Sequence, residues 1–125
     1  MVLLLVEPDK ILGSSYASGL EQASFKVIWA KNAEQAIHST DELKPDIIVL
    51  EPKISSHSGI EFLHELRSYE DWLNIHVVVY SSVPSYAFGL DESTWQQFGV
   101  VRYLEKAKTS VKELAAICNT ILEDA

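Results

Sequence analysis

Four short apolar runs each end in residues able to do chemistry: Val6-Glu7-Pro8-Asp9, Leu50-Glu51-Pro52-Lys53, Tyr80-Ser81-Ser82 and Tyr103-Leu104-Glu105-Lys106. Brought to one place, Glu7, Asp9, Glu51, Ser81 and Lys106 would combine up to three carboxylates with a hydroxyl and an ammonium. Converging carboxylates suit a hard cation, with Glu7 and Glu51 as its ligands, or a lysine counter-ion where no cation sits. A flavin or nucleotide phosphate would instead need a glycine- or hydroxyl-rich loop presenting N–H groups after the first run. Glu7 and Asp9 would repel it.

The elements that must position these residues follow from the hydrophobic pattern. Val2–Val6, Lys26–Ala30, Asp46–Leu50, Ile75–Tyr80 and Val100–Leu104 read as strands, the first, third and fourth almost continuously apolar, as in central parallel strands covered on both faces. Between them run segments of helical period: Ile11, Leu12, Tyr16, Leu20 and Ala23; Ala33, Ala36, Ile37 and Leu43; Ile60, Leu63 and Leu66; Val111, Leu114, Ala115, Cys118, Ile121 and Leu122. Asn32 with Gln35, Ser58 with Glu61, and Ser110 with Glu113 are capping-box patterns, and Pro8 suits an early helical position. Pro45 and Gly99 punctuate helix ends just before strands. The helix expected between Pro84 and Phe98 has the weakest periodicity.

Five strand–helix alternations with right-handed crossovers imply an α/β, doubly wound, five-stranded parallel sheet of order 2-1-3-4-5, a flavodoxin-like three-layer sandwich over residues 1–125. In that order the crevice lies beyond the carboxyl ends of the first and third strands, where the winding reverses. The ends carrying Glu7 and Glu51 are those ends.

Composition agrees with one folded domain: 47% of the 125 residues are apolar and 22% charged, which argues against disorder. A formal charge of −8 disfavours nucleic acid and anionic membrane surfaces, both of which need clustered Lys and Arg. The apolar start is too short to span a membrane and lacks a signal peptide's basic flank. With Cys118 the lone cysteine, no intrachain disulfide is possible, and a cytoplasmic location is expected. Cys118 reads as a packed thiol. His38, His57, His64 and His76 fall in different elements without metal-ligand spacing.

Taken together, the motif ends resemble the receiver domain of two-component response regulators over essentially the whole chain. Leu3-Leu4-Leu5-Val6-Glu7-Pro8-Asp9 resembles that family's first strand and acidic pair. Lys44-Pro45-Asp46-Ile47-Ile48-Val49-Leu50-Glu51 is similar to the run into its phosphorylated aspartate, with Gly59 opening the third helix. Val78-Val79-Tyr80-Ser81-Ser82 resembles the fourth strand with a switch hydroxyl at Ser81, and Tyr103-Leu104-Glu105-Lys106 carries an aromatic switch and the family's lysine. The resemblance implies phosphoryl transfer from a kinase histidine to the acceptor, aided by Mg²⁺ at the acidic positions. The lysine and hydroxyl would bind the new phosphate, and Tyr103 would reposition.

Four residues depart from that pattern. Glu51 stands at the acceptor position, one methylene longer than aspartate. Pro8 replaces the second acid of the pair, with Asp9 one residue later. Lys53 introduces a cation beside the metal position, and Ala107 replaces a proline after the lysine. A phosphorylation-independent module is therefore the first reading, with Glu51 reaching toward Lys106 and Ser81 in imitation of a phosphorylated side chain; a structural ion pair of Glu51 with Lys53 or Lys106 is the alternative. A phospho-accepting regulator using Mg²⁺ is the second reading and a flavodoxin-like flavin carrier the third. The resemblance implies a protein partner, a sensor kinase or downstream effector, or a second copy, on the face of the fourth helix, fifth strand and fifth helix. Tyr86, Phe88, Trp95 and Phe98 would supply aromatic anchors there, whereas Trp29 and Trp72 read as packing.

Overall fold

A computed structural model describes residues 1–54 and 58–124. In chain order the elements are β1 (Val2–Val6), α1 (Lys10–Gln22), β2 (Lys26–Ala30), α2 (Ala33–Leu43), β3 (Ile47–Leu50), α3 (Gly59–Arg67), β4 (His76–Ser81), α4 (Glu92–Gln97), β5 (Val100–Glu105) and α5 (Val111–Glu123). Short 3₁₀ turns occupy Glu70–Trp72 and Ser85–Phe88. All strand pairs are parallel, in the order β2-β1-β3-β4-β5. The third and fourth strands begin one residue later than the sequence suggests, and the fifth extends to Glu105.

Because strand side chains alternate, β1 serves two cores at once. Leu3 and Leu5 pack with Tyr16 and Leu20 of α1 and Leu114 and Cys118 of α5. Leu4 and Val6 face the opposite way, toward Ala33 and Ala36 of α2 and Phe62 and Leu66 of α3. This is the three-layer sandwich, with α1 and α5 on one side and α2, α3 and α4 on the other.

The helix ends show where local chemistry overrode the pattern. Asp9, not Pro8, opens α1: its Oδ1 accepts the N–H groups of Ile11 and Leu12, both at 2.9 Å, and Pro8 precedes the cap. Starting there, α1 turns Gly13, Tyr16 and Leu20 inward and leaves Ile11 83% and Leu12 39% exposed, contrary to the expected stripe. Gly13 fixes that orientation, since a Cβ there would overlap the Trp29 indole. On α2 the inward face is Ala33, Ala36 and Thr40, with Leu43 exposed; the buried Thr40 hydroxyl donates to Ala36 O at 2.7 Å.

Of the three cap patterns, Ser110 and Glu113 form the full reciprocal box. Ser58 Oγ accepts from Glu61 N–H at 3.1 Å. Asn32 accepts from Gln35 N–H at 2.8 Å, but the Gln35 side chain turns back to Lys31 N–H. Between Pro84 and Phe98 the expected helix divides: the 3₁₀ turn stops at Gly89, whose φ of +71° suits glycine, and Asp91 caps a separate six-residue α4. No helix among the described residues is long and apolar enough to cross a membrane.

Candidate functional site

The parallel ladder delivers the site residues one step beyond its last pairs. Val6 is in register with Ala30 and Leu50. Just past that row, Glu7 N–H donates to Ala30 O at 3.0 Å and Glu51 N–H to Val6 O at 3.0 Å. Ser81 closes β4 opposite Glu105, and Lys106 N–H donates to Ser81 O at 2.8 Å. The backbone of all three loops is thus pinned by sheet-like bonds at the same rim.

Glu7, Glu51, Ser81 and Lys106 come together there. Lys106 Nζ donates to Glu7 Oε1 at 2.6 Å and to Glu51 Oε1 at 3.1 Å. Glu51 Oε1 also accepts from the Ser82 N–H at 3.0 Å and the Ser82 hydroxyl at 3.2 Å. Its Oε2 accepts from Ser81 Oγ at 2.7 Å and from Lys53 N–H at 3.1 Å. Glu7 Oε2 takes the Asp9 N–H at 3.1 Å. Glu7, Glu51 and Ser81 are all buried.

Burial works to raise the pKa of Glu51, but the bonds from Ser81, Ser82 and Lys53 and the charge of Lys106 outweigh it, so the carboxyl lies below its ordinary value. For Lys106, burial works to lower the pKa, yet the Glu7 hydrogen bond and the charges of both glutamates hold it above the ordinary lysine value. The two groups are fixed as ions. Ser82, absent from the sequence-derived candidates, gives Glu51 two bonds; its place directly after Ser81 was the available signal.

Two candidates do not join the cluster. The Asp9 carboxylate is turned to the α1 N-terminus, so Asp9 contributes only its N–H to the acidic pocket it was expected to line. Tyr103 is half-buried, and its hydroxyl donates to Val83 O at 2.7 Å. It is nevertheless connected: Ser81 Oγ accepts the Val83 N–H at 3.2 Å while donating to Glu51. Glu51, Ser81 and Tyr103 are thus linked by hydrogen bonds through the backbone N–H and C=O of one residue, Val83. Lys53 approaches Glu51 through its backbone N–H, and Ala107 lies in a turn closed by Lys108 N–H to Glu105 O at 3.0 Å.

The arrangement does not suit Mg²⁺. That ion demands near-octahedral oxygen ligation, commonly one or two carboxylates completed by water. Both oxygens of Glu7 and of Glu51 already accept hydrogen bonds, and the Lys106 ammonium occupies the space between the two carboxylates. A cation would have to displace it. His57, one of the four histidines, lies outside the described residues.

The expected aromatic anchors are largely internal. Trp95 and Phe98 are 4% and 8% exposed; Trp95 packs edge-on to Phe88 and Tyr103, at centroid distances of 5.8 and 5.3 Å. Tyr86 alone of that group is well exposed, at 79%, and Val101 on β5 is 43% exposed. The small α4 turns its one tryptophan into the core because six residues offer a single inward face.

Comparison with known proteins adds the family. The family described as "Response regulator receiver domain" matches residues 3–119. The polar-differentiation response regulator DivK of Brucella anthropi is 24% identical over 123 residues, covering 98% of this chain and 97% of DivK. The KDP operon transcriptional regulatory protein KdpE of Escherichia coli is 22% identical over 91% of this chain but 52% of its own length, so the chain spans about half of that relative. Among solved structures, the BeF3-activated N-terminal receiver domain of RstA from Klebsiella pneumoniae aligns with a TM-score of 0.82 at 20% identity, covering 98% of both chains. With the match running through both core layers and every loop of the rim cluster, this chain belongs to the response regulator receiver domain family.

Proposed function

We propose that residues 1–125 form one receiver unit that signals by protein contact without phosphorylation, Glu51 standing where a phosphoryl group would otherwise be held. The observation that carries this reading is the ligation of the Glu51 carboxylate: Ser81 Oγ, Ser82 N–H and Lys106 Nζ all donate to it. A hydroxyl, a backbone N–H and an ammonium at one rim are the donors a phosphate would recruit. The extra methylene of glutamate carries the negative charge to them, and the path through Ser81 and Val83 hands that engagement on to Tyr103.

Transfer of a phosphoryl group to Glu51 is disfavoured by the same bonds. Five donors occupy its two oxygens, and an attacking oxygen would have to shed them while Lys106 yields its place to a metal ion. The module therefore acts as a binding partner and not as an enzyme. Its contact face is α4, β5 and α5, where Val101 of β5 is exposed while Trp95 and Phe98 are buried; exposed Tyr86 lies on the 3₁₀ turn that precedes α4. The partner is a protein, a kinase, an effector or a second copy, met in the cytoplasm.

Incubation with acetyl phosphate and Mg²⁺ followed by intact-mass measurement tests the reading. The expected mass is that of the unmodified chain, and Mg²⁺ alone leaves tryptophan fluorescence unchanged. A phosphate adduct on the intact mass overturns it.

A further inference from the structure

Lys106 reaches the glutamates on a long side chain whose placement costs rotamer entropy, and its two ionic contacts are not the only ones that hold it. The ring of Tyr16 faces the ammonium, with Nζ 5.4 Å from the ring centroid, within the range of a cation–π contact. Tyr16 is itself buried and meets Tyr80 edge-on, at 5.1 Å between centroids and 68° between planes. The Tyr80 hydroxyl donates to Thr109 O at 2.6 Å. Thr109 lies three residues beyond Lys106 in the loop joining β5 to α5. The contacts close a circuit: Lys106, its loop, Thr109, Tyr80, Tyr16 and back to the ammonium.

From this circuit we infer that Tyr16 and Tyr80 are positioning residues for Lys106. Tyr80 anchors the loop that carries the lysine, and Tyr16 walls the ammonium on the side the glutamates leave open. Adjacent residues of β4 then divide the work: Ser81 binds Glu51, and Tyr80, pointing to the opposite sheet face, fixes the cation that pairs with it. Burial pushes the Tyr80 hydroxyl up to about 12, which extends its bond to Thr109 into the alkaline range.

The inference rests on the Lys106 bridge of the proposed function, and its test is independent of phosphorylation. Lysine acylation by an N-hydroxysuccinimide ester is followed residue by residue by peptide mass spectrometry, with iodoacetamide labelling of buried Cys118 as the internal measure of global unfolding. In Tyr16→Leu the ratio of Lys106 to Cys118 labelling rates rises about tenfold, within what a desolvated cation–π contact supplies, and in Tyr80→Phe it rises by up to about tenfold, the most that losing one hydrogen bond supplies. Tyr16→Phe, which keeps the ring, holds the ratio of the parent protein. An unchanged ratio in either Tyr16→Leu or Tyr80→Phe overturns the inference, even if both absolute rates rise. A phosphate adduct on Glu51 in the earlier experiment would overturn the signalling reading and leave this ratio where it stands.

Discussion

Lys106 Nζ stands 2.6 Å from Glu7 Oε1, across 99 positions of sequence. The contact joins the loop after the first strand to the loop after the last, and Glu51 from the middle of the sheet shares the same ammonium at 3.1 Å. Two buried carboxylates thus depend on one cation. Lys106→Met should cost about 3 kcal/mol at neutral pH, because removing one partner of a buried pair leaves the other charge uncompensated. The deficit relative to the parent protein should narrow in acid, where protonating either carboxylate relieves the repulsion. Urea unfolding at neutral and acid pH measures both; a deficit that widens in acid would refute the bridge as the cause.

Glu51 and Ser81 define a second pH signature. The carboxyl lies below its ordinary value of 4.5 in the folded chain, so it stabilises the fold fully above that pH and loses the contribution as pH falls through the folded value. Ser81→Ala removes the 2.7 Å bond to Oε2 and leaves the Val83 N–H without its acceptor. We expect a loss of about 1–3 kcal/mol at pH near 7, with the acid transition moving to higher pH. Thermal melts across the acid range would show it.

Much of this was readable before any coordinates. The strands announced themselves because a parallel sheet covered on both faces needs continuous apolar runs, and the rim residues followed because winding order fixes which loops meet. What the pattern missed is decided by choices of one residue. Asp9 could line the pocket or cap α1, and the free N–H groups of Ile11 and Leu12 took it. Ile11 and Leu12 satisfied the helical period, but the gap left by Gly13 for Trp29 rotated α1 so that Tyr16 faced Lys106 instead. Periodicity does not report on neighbours that come from another strand, so neither the Tyr16–Lys106 contact nor the role of Tyr80 had a sequence signal.

The aromatic segment before β5 makes the same point testable. Trp95→Ala should destabilise by about 3–5 kcal/mol, as expected for a large core side chain. Tyr86→Ala, at an exposed position, should stay within about 0.5 kcal/mol while weakening partner capture or self-association. Trp95→Phe should cost less than Trp95→Ala, since a ring remains and the buried Trp95 Nε1 has no hydrogen-bond partner among the described residues to lose. Chemical denaturation together with sedimentation separates the stability effect from the contact effect.

Arg67 and Gly99 form an internal clamp. The Arg67 guanidinium donates to the carbonyls of Phe98 (2.7 Å), Trp72 (2.8 Å), Leu73 (3.2 Å) and Ile75 (2.7 Å), tying the end of α3 to the turns before β4 and β5. Gly99, at φ +76°, lies against that group, and a Cβ there would overlap it. Arg67→Met should cost about 3 kcal/mol through unpaired carbonyls. Gly99→Ala should be costly alone, from overlap plus the left-handed backbone, but about 1 kcal/mol less so in the Arg67→Met background, where only the backbone strain remains. Strict additivity in a double-mutant cycle would exclude the clamp.

Alkaline stability follows from the core on the α1–α5 side. Burial pushes the Cys118 thiol from 9.0 up to about 12 and the Tyr80 hydroxyl from 10.0 up to about 12. Each raised group stabilises the folded chain fully below its unfolded value, and the contribution is lost as pH climbs toward the folded one. Unfolding free energy should therefore fall by about 1.4 kcal/mol per pH step once the unfolded thiol ionises near pH 9, and more steeply once the tyrosine joins above pH 10. Lys106, held above its ordinary value of 10.5, adds to the loss above that pH. Cys118→Ala should abolish the first part of the decline and leave the second. Urea titrations from neutral to strongly alkaline pH would show whether the two slopes separate in this way, and an onset unaltered by Cys118→Ala would assign the loss elsewhere.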